Sequence, residues 1–259
     1  MQYSIVVPVH NEATNVQPLL AEMRRVLECN APSEIIFVDD GSTDDTAACL
    51  QAFLSRCAGL RLIRHDRRYG QSAAIRTGVA AATSSIIVTA DGDGQSDPAD
   101  ILRLLDSAAS RIDGSDPLVF GLREGRQDGP MRRLASRIAN EVRSAILRDR
   151  CPDTACGLKL FPREAFLGLP SFEGMHRFLP SLFQTYGHRI DYVSTRGRPR
   201  FGGRSKYGIF WRGVVGIADL LGVLWITQRT RRPKSIEVSA ATVLRETDPA
   251  WAKDREVIS

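Results

Sequence analysis

The sequence predicts an α/β protein, a mostly parallel sheet flanked by helices, and three observations lead there. Short β-branched apolar runs alternate with helical stretches five times in the first 120 residues, as crossover units of a parallel sheet do. The apolar runs are continuous rather than alternating, which suits strands covered on both faces. Three of them are followed within a few residues by polar, acid-rich clusters, at the carboxyl ends where open α/β sheets take their ligands.

In chain order, Ile5-Val6-Val7-Pro8 reads as a buried strand closed by proline. Val16, Leu19, Leu20, Met23 and Leu27 then recur at helical spacing. Ile35-Ile36-Phe37-Val38 is the second strand. A helix follows from about Thr43 to Leu54, with Ser42 or Thr43 expected to cap it and the neighbouring acids favoured by its dipole. Leu60 to Ile63 is the third strand, and the Ala-rich stretch from Gly70 to Ala82 is helical. Ile86-Ile87-Val88-Thr89 is the fourth strand, Pro98 opens a helix through Leu105, and Leu118-Val119-Phe120 is the fifth strand. The expected organisation is a main domain over 1–207, an apolar segment with basic flanks over 208–232, and a polar tail over 233–259.

With 259 residues, 43% hydrophobic and 25% charged, the chain can bury a sizeable core, and collagen, coiled coil, polytopic membrane protein and wholesale disorder are excluded. The net charge of +5 is unevenly spread. Residues 1–120 hold ten basic and sixteen acidic residues, net −6, whereas 187–234 hold eleven and two, net +9. Such a division suggests two different tasks. The five cysteines form no CxxC pair, and Met1-Gln2-Tyr3 leads directly into a strand. Reduced thiols, no leader and a cytoplasmic setting are the expectation.

The strongest motif is Asp91-Gly92-Asp93-Gly94-Gln95. Two carboxylates at i and i+2 can reach one hard cation, and Gln95 can add a carbonyl oxygen. Mg2+ or Mn2+ would keep open positions for phosphate oxygens. A plain Asp/Gly turn is the alternative for these residues in isolation. Asp39-Asp40-Gly41-Ser42-Thr43-Asp44 carries either a helix cap or a carboxylate for a base or ribose. No GxxxxGK[ST] or GxGxxG occurs, which excludes a P-loop enzyme and a typical dinucleotide binder. The run Arg196-Gly197-Arg198-Pro199-Arg200-Phe201-Gly202-Gly203-Arg204-Ser205-Lys206 reads as an anion clamp, since guanidinium forks hold phosphate bidentately. Nucleic acid is discounted as partner, because the front half is acidic and no stacking aromatic series accompanies the arginines.

Val7-Pro8-Val9-His10-Asn11-Glu12, Val38-Asp39-Asp40-Gly41-Ser42-Thr43-Asp44 and Asp91-Gly92-Asp93-Gly94-Gln95 together resemble the family-2 inverting glycosyltransferases of GT-A (Rossmann-like) fold. Within that family the resemblance is to polyprenyl-phosphate sugar transferases of the dolichol-phosphate mannose synthase type. Gly70 to Gly78, Gly121-Leu122-Arg123 and Gly203 to Tyr207 fit further family elements, so the resemblance runs from about residue 3 to 230. It implies that Pro8, His10, Glu12, Val38, Asp39, Asp40, Gly92, Gln95 and Arg123 meet the nucleotide sugar. It implies that Asp91 and Asp93 serve catalysis and, with Gln95, hold Mg2+ or Mn2+. Arg200, Lys206 and Asp153 are implied on the phosphate and acceptor side. His10 departs from the pattern, standing where relatives usually have tyrosine.

The implied reaction is transfer of a sugar from a nucleoside-diphosphate sugar to a polyprenyl phosphate, with inversion. A phosphate acceptor is already anionic at neutral pH, so no strong general base is demanded. A family-2 enzyme acting on a sugar hydroxyl would need one. A nucleotidyltransferase should show a basic, Gly-rich first loop, which Pro8-Val9-His10-Asn11-Glu12 is not. A non-catalytic membrane adaptor is the reading from another class, opposed by the intact Asp91 and Asp93.

Ile209 to Thr227 is apolar except for Arg212 and Asp219. It is too short and interrupted to span a bilayer, which takes about twenty apolar residues. Arg212, Gly216 and Asp219 fall on one face, with Val214, Val215, Leu220, Leu221, Leu224 and Trp225 elsewhere. Between basic flanks this predicts an amphipathic, interfacial anchor, a core helix being the alternative. The expected location is therefore the cytoplasmic face of a membrane, peripheral or monotopic, with room for a membrane-embedded partner.

Overall fold

A computed structural model describes residues 1–111, 116–124, 140–149, 151, 153–154, 156–198 and 209–231, with backbone alone for 209–215. Seven strands form one sheet in the order β3-β2-β1-β4-β6-β5-β7. They are β1 (Tyr3–Val9), β2 (Glu34–Asp39), β3 (Leu60–Arg64), β4 (Ile86–Thr89), β5 (Val119–Glu124), β6 (Lys159–Pro162) and β7 (Asp191–Arg196). The first four are mutually parallel, β6 runs antiparallel between β4 and β5, and β7 pairs parallel with β5. The expected mostly parallel α/β sheet is what forms.

Two strands escape the sequence pattern for physical reasons. The four residues of β6 include a lysine and end on proline, so no apolar run marks them. The sequence Asp191-Tyr-Val-Ser-Thr-Arg196 of β7 is an edge strand, largely half-exposed, that needs little hydrophobicity.

The helices α1 (Ala13–Val26), α2 (Thr46–Leu54), α3 (Gln71–Ala81) and α4 (Ala99–Ala109) fall where the periodicity put them. They are followed by α5 (residues 140–147), α6 (Arg163–Leu167), α7 (Leu179–Thr185) and α8 (Ile209–Arg229). Alternation along β1 sends Ile5, Val7 and Val9 to one face, with Leu19, Leu20, Met23, Leu50, Ile101 and Leu104. Val6 goes to the other face, with Val38, Ile75, Val79, Phe120, Phe161 and Phe183. Gly78 allows α3 to lie close on the sheet, since a Cβ there would come within 2.4 Å of Val6 Cγ1.

Pro8 sits in a central strand without breaking it. The carbonyl of Val6 accepts from Ala90 and that of Val9 from Asp40, so even-numbered residues of β1 face β4. The last β1–β4 pair is Val6↔Thr89, and the missing donor of Pro8 falls where pairing has already ended.

The compact unit spans Met1–Arg229, with Thr230–Ser259 a separate unit. Helix α8 lies within the first of these units. Val223 is fully buried, with Leu220 and Ile226 packed against the same core cluster, while Ile217, Leu221 and Trp225 are exposed. Asp219 pairs with Arg177 at 2.9 Å. Of the three residues expected on one face, Arg212, Gly216 and Asp219, the last is turned toward Arg177. Leu220, expected with the apolar residues of the anchor, packs partly buried against the core. Arg212, Val214 and Val215 have no described side chains. Among the described residues no helix is long and apolar enough to cross a membrane.

Candidate active site

The site begins with two loops stitched together at the carboxyl ends of β1 and β2. Asn11 takes a left-handed conformation, φ 54°, which asparagine tolerates better than most residues. Its backbone N–H donates to Ser42 Oγ at 2.9 Å, and its side-chain oxygen accepts from the Thr43 N–H at 2.8 Å. The Glu12 N–H donates to Thr46 Oγ1 at 2.8 Å, and the Glu12 carboxylate accepts from the Asn15 amide. Asp45 stands at the N-cap of α2 without a side-chain cap, and Asp44 before it takes the first helical N–H, that of Thr46, on its Oδ1 at 3.0 Å. Ser42 and Thr43 were expected there, but both are spent on Asn11.

Asp39 and Asp40 end β2, both buried. Asp39 Oδ1 accepts from the Ser42 N–H at 2.9 Å and Oδ2 from Arg64 Nε at 3.3 Å. Asp40 accepts from the N–H groups of Tyr69 and Gly70, at 2.8 and 2.7 Å, and lies 2.8 Å from His65 Nδ1. Burial pushes the Asp40 carboxyl up, but donors from Tyr69, His65 and Gly70 outweigh it and hold it below the usual carboxylate range. Both oxygens of Asp40 thus anchor the loop that leads into α3. Its carbonyl fixes His10, which donates to it from Nδ1 at 2.8 Å. Val38, implied as a nucleotide contact, is corrected: it is fully buried in the core beneath the loop. Its side chain alternates toward α3, so it supports the site from below.

The Asp91–Asp93 segment follows β4 directly. Asp93 is buried, and its Oδ1 accepts from the Gln95 N–H at 3.0 Å. Asp91 Oδ1 accepts from Gln71 Nε2 at 3.1 Å. A Cβ on Gly157 would come within 2.2 Å of Asp91 Oδ2, and one on Gly92 within 2.4 Å of Val9 Cγ1. Glycine is required at both positions for the segment to lie against β1 and the 157 backbone. Burial, and after it the charge of Asp93, push the Asp91 carboxyl up to about 6, with Lys159 and Arg123 opposing. A divalent cation between the two carboxylates would relieve this repulsion, so the donor set fits a hard ion. Among the described residues no group of three His, Cys, Asp or Glu gathers. The backbone carbonyl of Gln95 accepts from the Arg198 N–H at 3.0 Å.

Arg123 and Asp153, expected to meet phosphates or acceptor, are paired with each other. Arg123 Nε and Nη2 reach the Asp153 oxygens at 2.9 and 3.1 Å. Arg198 does the same with Glu22, at 2.7 and 2.9 Å, tying the chain after β7 to α1. Arg200 and Lys206 lie outside the described residues. Pro8, His10, Glu12, Asp39, Asp91, Asp93 and Gln95 are thus brought to one edge of the sheet, as the motif positions imply. The five cysteines are unpaired.

Sequence reasoning missed Gln71, Gly157, Lys159, Ser72 and His176. Lys159 had at most a weak local signal, a lysine set between Leu158 and Leu160. Ser72 Oγ accepts from the His176 N–H at 3.2 Å and lies 2.8 Å from its Nδ1, so the hydroxyl donates to a neutral ring. Burial first, then Lys159 and Arg177, push His176 down to about 3.

The sequence profile described as Glycosyl transferase family 2 matches residues 4–168. The dodecaprenyl-phosphate galacturonate synthase of Rhizobium johnstonii is 33% identical over 239 residues, covering 90% of this chain and 69% of that protein. The undecaprenyl-phosphate 4-deoxy-4-formamido-L-arabinose transferase of Sodalis glossinidius is 33% identical over 211 residues, 80% of this chain and 63% of that protein. The chain thus spans about two thirds of the length of these curated relatives. Among solved structures, glucosyl-3-phosphoglycerate synthase from Mycobacterium tuberculosis with Mn2+, UDP and glucosyl-3-phosphoglycerate superposes with a TM-score of 0.67 at 20% identity, covering 89% of this chain and 81% of that one. Mannosyl-3-phosphoglycerate synthase from Rubrobacter xylanophilus superposes with a TM-score of 0.66 at 14% identity, covering 93% and 79%. These two likenesses are of fold.

Proposed function

This chain belongs to glycosyl transferase family 2, and from that premise we propose that it transfers a sugar from a nucleoside-diphosphate sugar to a polyprenyl phosphate, with inversion. The observation that carries the reading is the Asp91–Asp93 carboxylate pair at the end of β4, lying against Gly157 and fixed by Gln71 and the Gln95 N–H. Mg2+ or Mn2+ held by Asp91 and Asp93 would supply neutralisation of the departing diphosphate. Pro8, His10, Glu12 and Asp39 line the neighbouring edge and would receive the nucleoside. Arg200 and Lys206 would clamp phosphate oxygens.

The acceptor phosphate brings its own negative charge, so the protein need only aim it at the anomeric carbon. The Arg123–Asp153 pair favours this over a hydroxyl acceptor. A carboxylate held bidentately by a guanidinium is a poor general base, and Asp153 was the carboxylate expected on that side. The names of the relatives point the same way, both describing polyprenyl-phosphate sugar transferases. The exposed stripe Ile217, Leu221 and Trp225 on α8 would rest on the membrane surface where such an acceptor resides.

The deciding experiment incubates purified protein and Mn2+ with a panel of nucleotide sugars and polyprenyl phosphate. A glycosylated lipid phosphate is expected. Hydrolysis of the donor alone, or transfer only to a glycan hydroxyl, overturns the reading.

A further inference from the structure

Lys159 has no part in the transfer described above, yet it is 95% buried beside the reacting groups. It opens β6, opposite Thr89 on the strand that delivers Asp91. Thr89 Oγ1 donates to the Gly157 carbonyl at 2.7 Å, and Gly157 is the residue against which the Asp91 carboxylate rests. The Lys159 ammonium donates to the Cys156 carbonyl and lies 5.8 Å from the centre of the Phe120 ring. It thus sits on the floor of the edge that carries the carboxylate pair.

Its neighbours are already committed. Arg123 is held by Asp153 and Arg177 by Asp219. His176, close enough for Lys159 to help suppress its protonation, is neutral. Among the described residues no carboxylate lies within ion-pair distance of Lys159. Its charge acts on the Asp91 carboxyl, whose negative charge a divalent cation would take up. A buried ammonium stripped of that influence is costly unless an anion of the substrate meets it.

Two anionic groups enter any such site. The diphosphate goes to the metal. The acceptor phosphate is tethered to a lipid and approaches from outside, whereas Lys159 is at the floor. The donor sugar lies between the two. We propose that Lys159 is a specificity-determining residue that reads a carboxylate on the donor sugar, so that the preferred donor is a nucleoside-diphosphate uronic acid. The proposal rests on the glycosyl-transfer reading above and names the sugar class for the same site.

The test uses matched donors that differ only in oxidation at C6: UDP-glucose with UDP-glucuronate, UDP-galactose with UDP-galacturonate, and GDP-mannose with GDP-mannuronate. Each is given to wild type and to Lys159→Met with Mn2+ and polyprenyl phosphate, and binding of the free nucleoside diphosphate is measured alongside. Wild type should favour the acidic member of at least one pair by about tenfold or more in kcat/KM. Lys159→Met should abolish that preference while nucleoside diphosphate binding stays the same. Preference for the neutral sugar in every pair overturns the proposal but leaves glycosyl transfer standing. Equal loss of all donors and of nucleoside diphosphate binding in Lys159→Met also overturns it, making Lys159 a counter-charge to Asp91. Should that variant not fold, the wild-type comparison still decides, no preference in any pair being the overturning result. Absence of transfer from every donor would instead sink the reading on which the proposal rests.

Discussion

Single residues here differ sharply in what they are expected to do. Asp93→Asn removes one negative ligand while keeping an oxygen that can accept from the Gln95 N–H. Transfer should fall by at least about a hundredfold with the circular dichroism spectrum unchanged; full turnover in the variant, or in excess chelator, would rule out the metal assignment. Glu34 is the opposite case, a buried carboxylate concerned with stability. It accepts from Ser4 Oγ at 2.8 Å, from Thr83 N–H and Oγ1 at 2.6 and 2.7 Å, and from Arg61. Burial would raise its carboxyl, but these donors prevail and bring it down to about 2 from 4.5. A depressed carboxyl stabilises the fold above its unfolded value and loses that contribution as the pH falls from about 4.5 toward 2. Glu34→Gln should therefore cost about 2 kcal/mol near pH 7 in urea unfolding and much less near pH 2.5. A gap independent of pH would show that the charge of Glu34 is not what stabilises.

Among the elements, α8 has two faces that mutation can separate. Val223 is fully buried, whereas Leu221 is 58% exposed and Trp225 60%. Val223→Ala should cost about 1 to 3 kcal/mol of stability, through lost burial and an incompletely filled cavity. Leu221→Glu should leave thermal stability nearly unchanged but weaken binding to anionic vesicles, because a charge then enters the headgroup–acyl boundary. Raising salt should weaken wild-type binding too, since Arg229 and Arg231 at the helix end are screened. Co-sedimentation and a melting curve measured on the same preparations check both. If Leu221→Glu binds vesicles as wild type does, the stripe is not a membrane contact.

At the scale of the whole molecule, the edge that carries the candidate site is assembled from both halves of the sheet. The loops after β1 and β2 are joined through Asn11 with Ser42 and Thr43, and the loop after β4 meets Gly157 and the chain following β7 through Asp91 and Gln95. A ligand that binds this edge should therefore stabilise the entire fold. With Mn2+ present, UDP or GDP at a hundred times its Kd should add about 2.7 kcal/mol and raise the melting temperature. EDTA and Asp93→Asn should each cancel the effect; a shift insensitive to both would place nucleotide binding away from the carboxylate pair.

The first five strands, four helices and the Asp91–Asp93 pair were legible in the sequence because they rest on local rules. Continuous apolar runs make covered strands, 3.6-residue spacing makes helices, and acids after strand ends collect at one edge by topology alone. The roles of Asp40, Val38 and Lys159 were not legible. Asp40 looks like a ligand-facing acid until the N–H groups of Tyr69 and Gly70, some thirty residues on, close around it. The burial of Val38 depends on which face alternation turns toward α3. Lys159 gains its position only when β6, without an apolar run of its own, enters antiparallel beside β4. Composition and period determined which elements form, since each is decided within a few residues. Which side chains share the site was decided by strand order and by contacts across long stretches of chain, which no local pattern encodes.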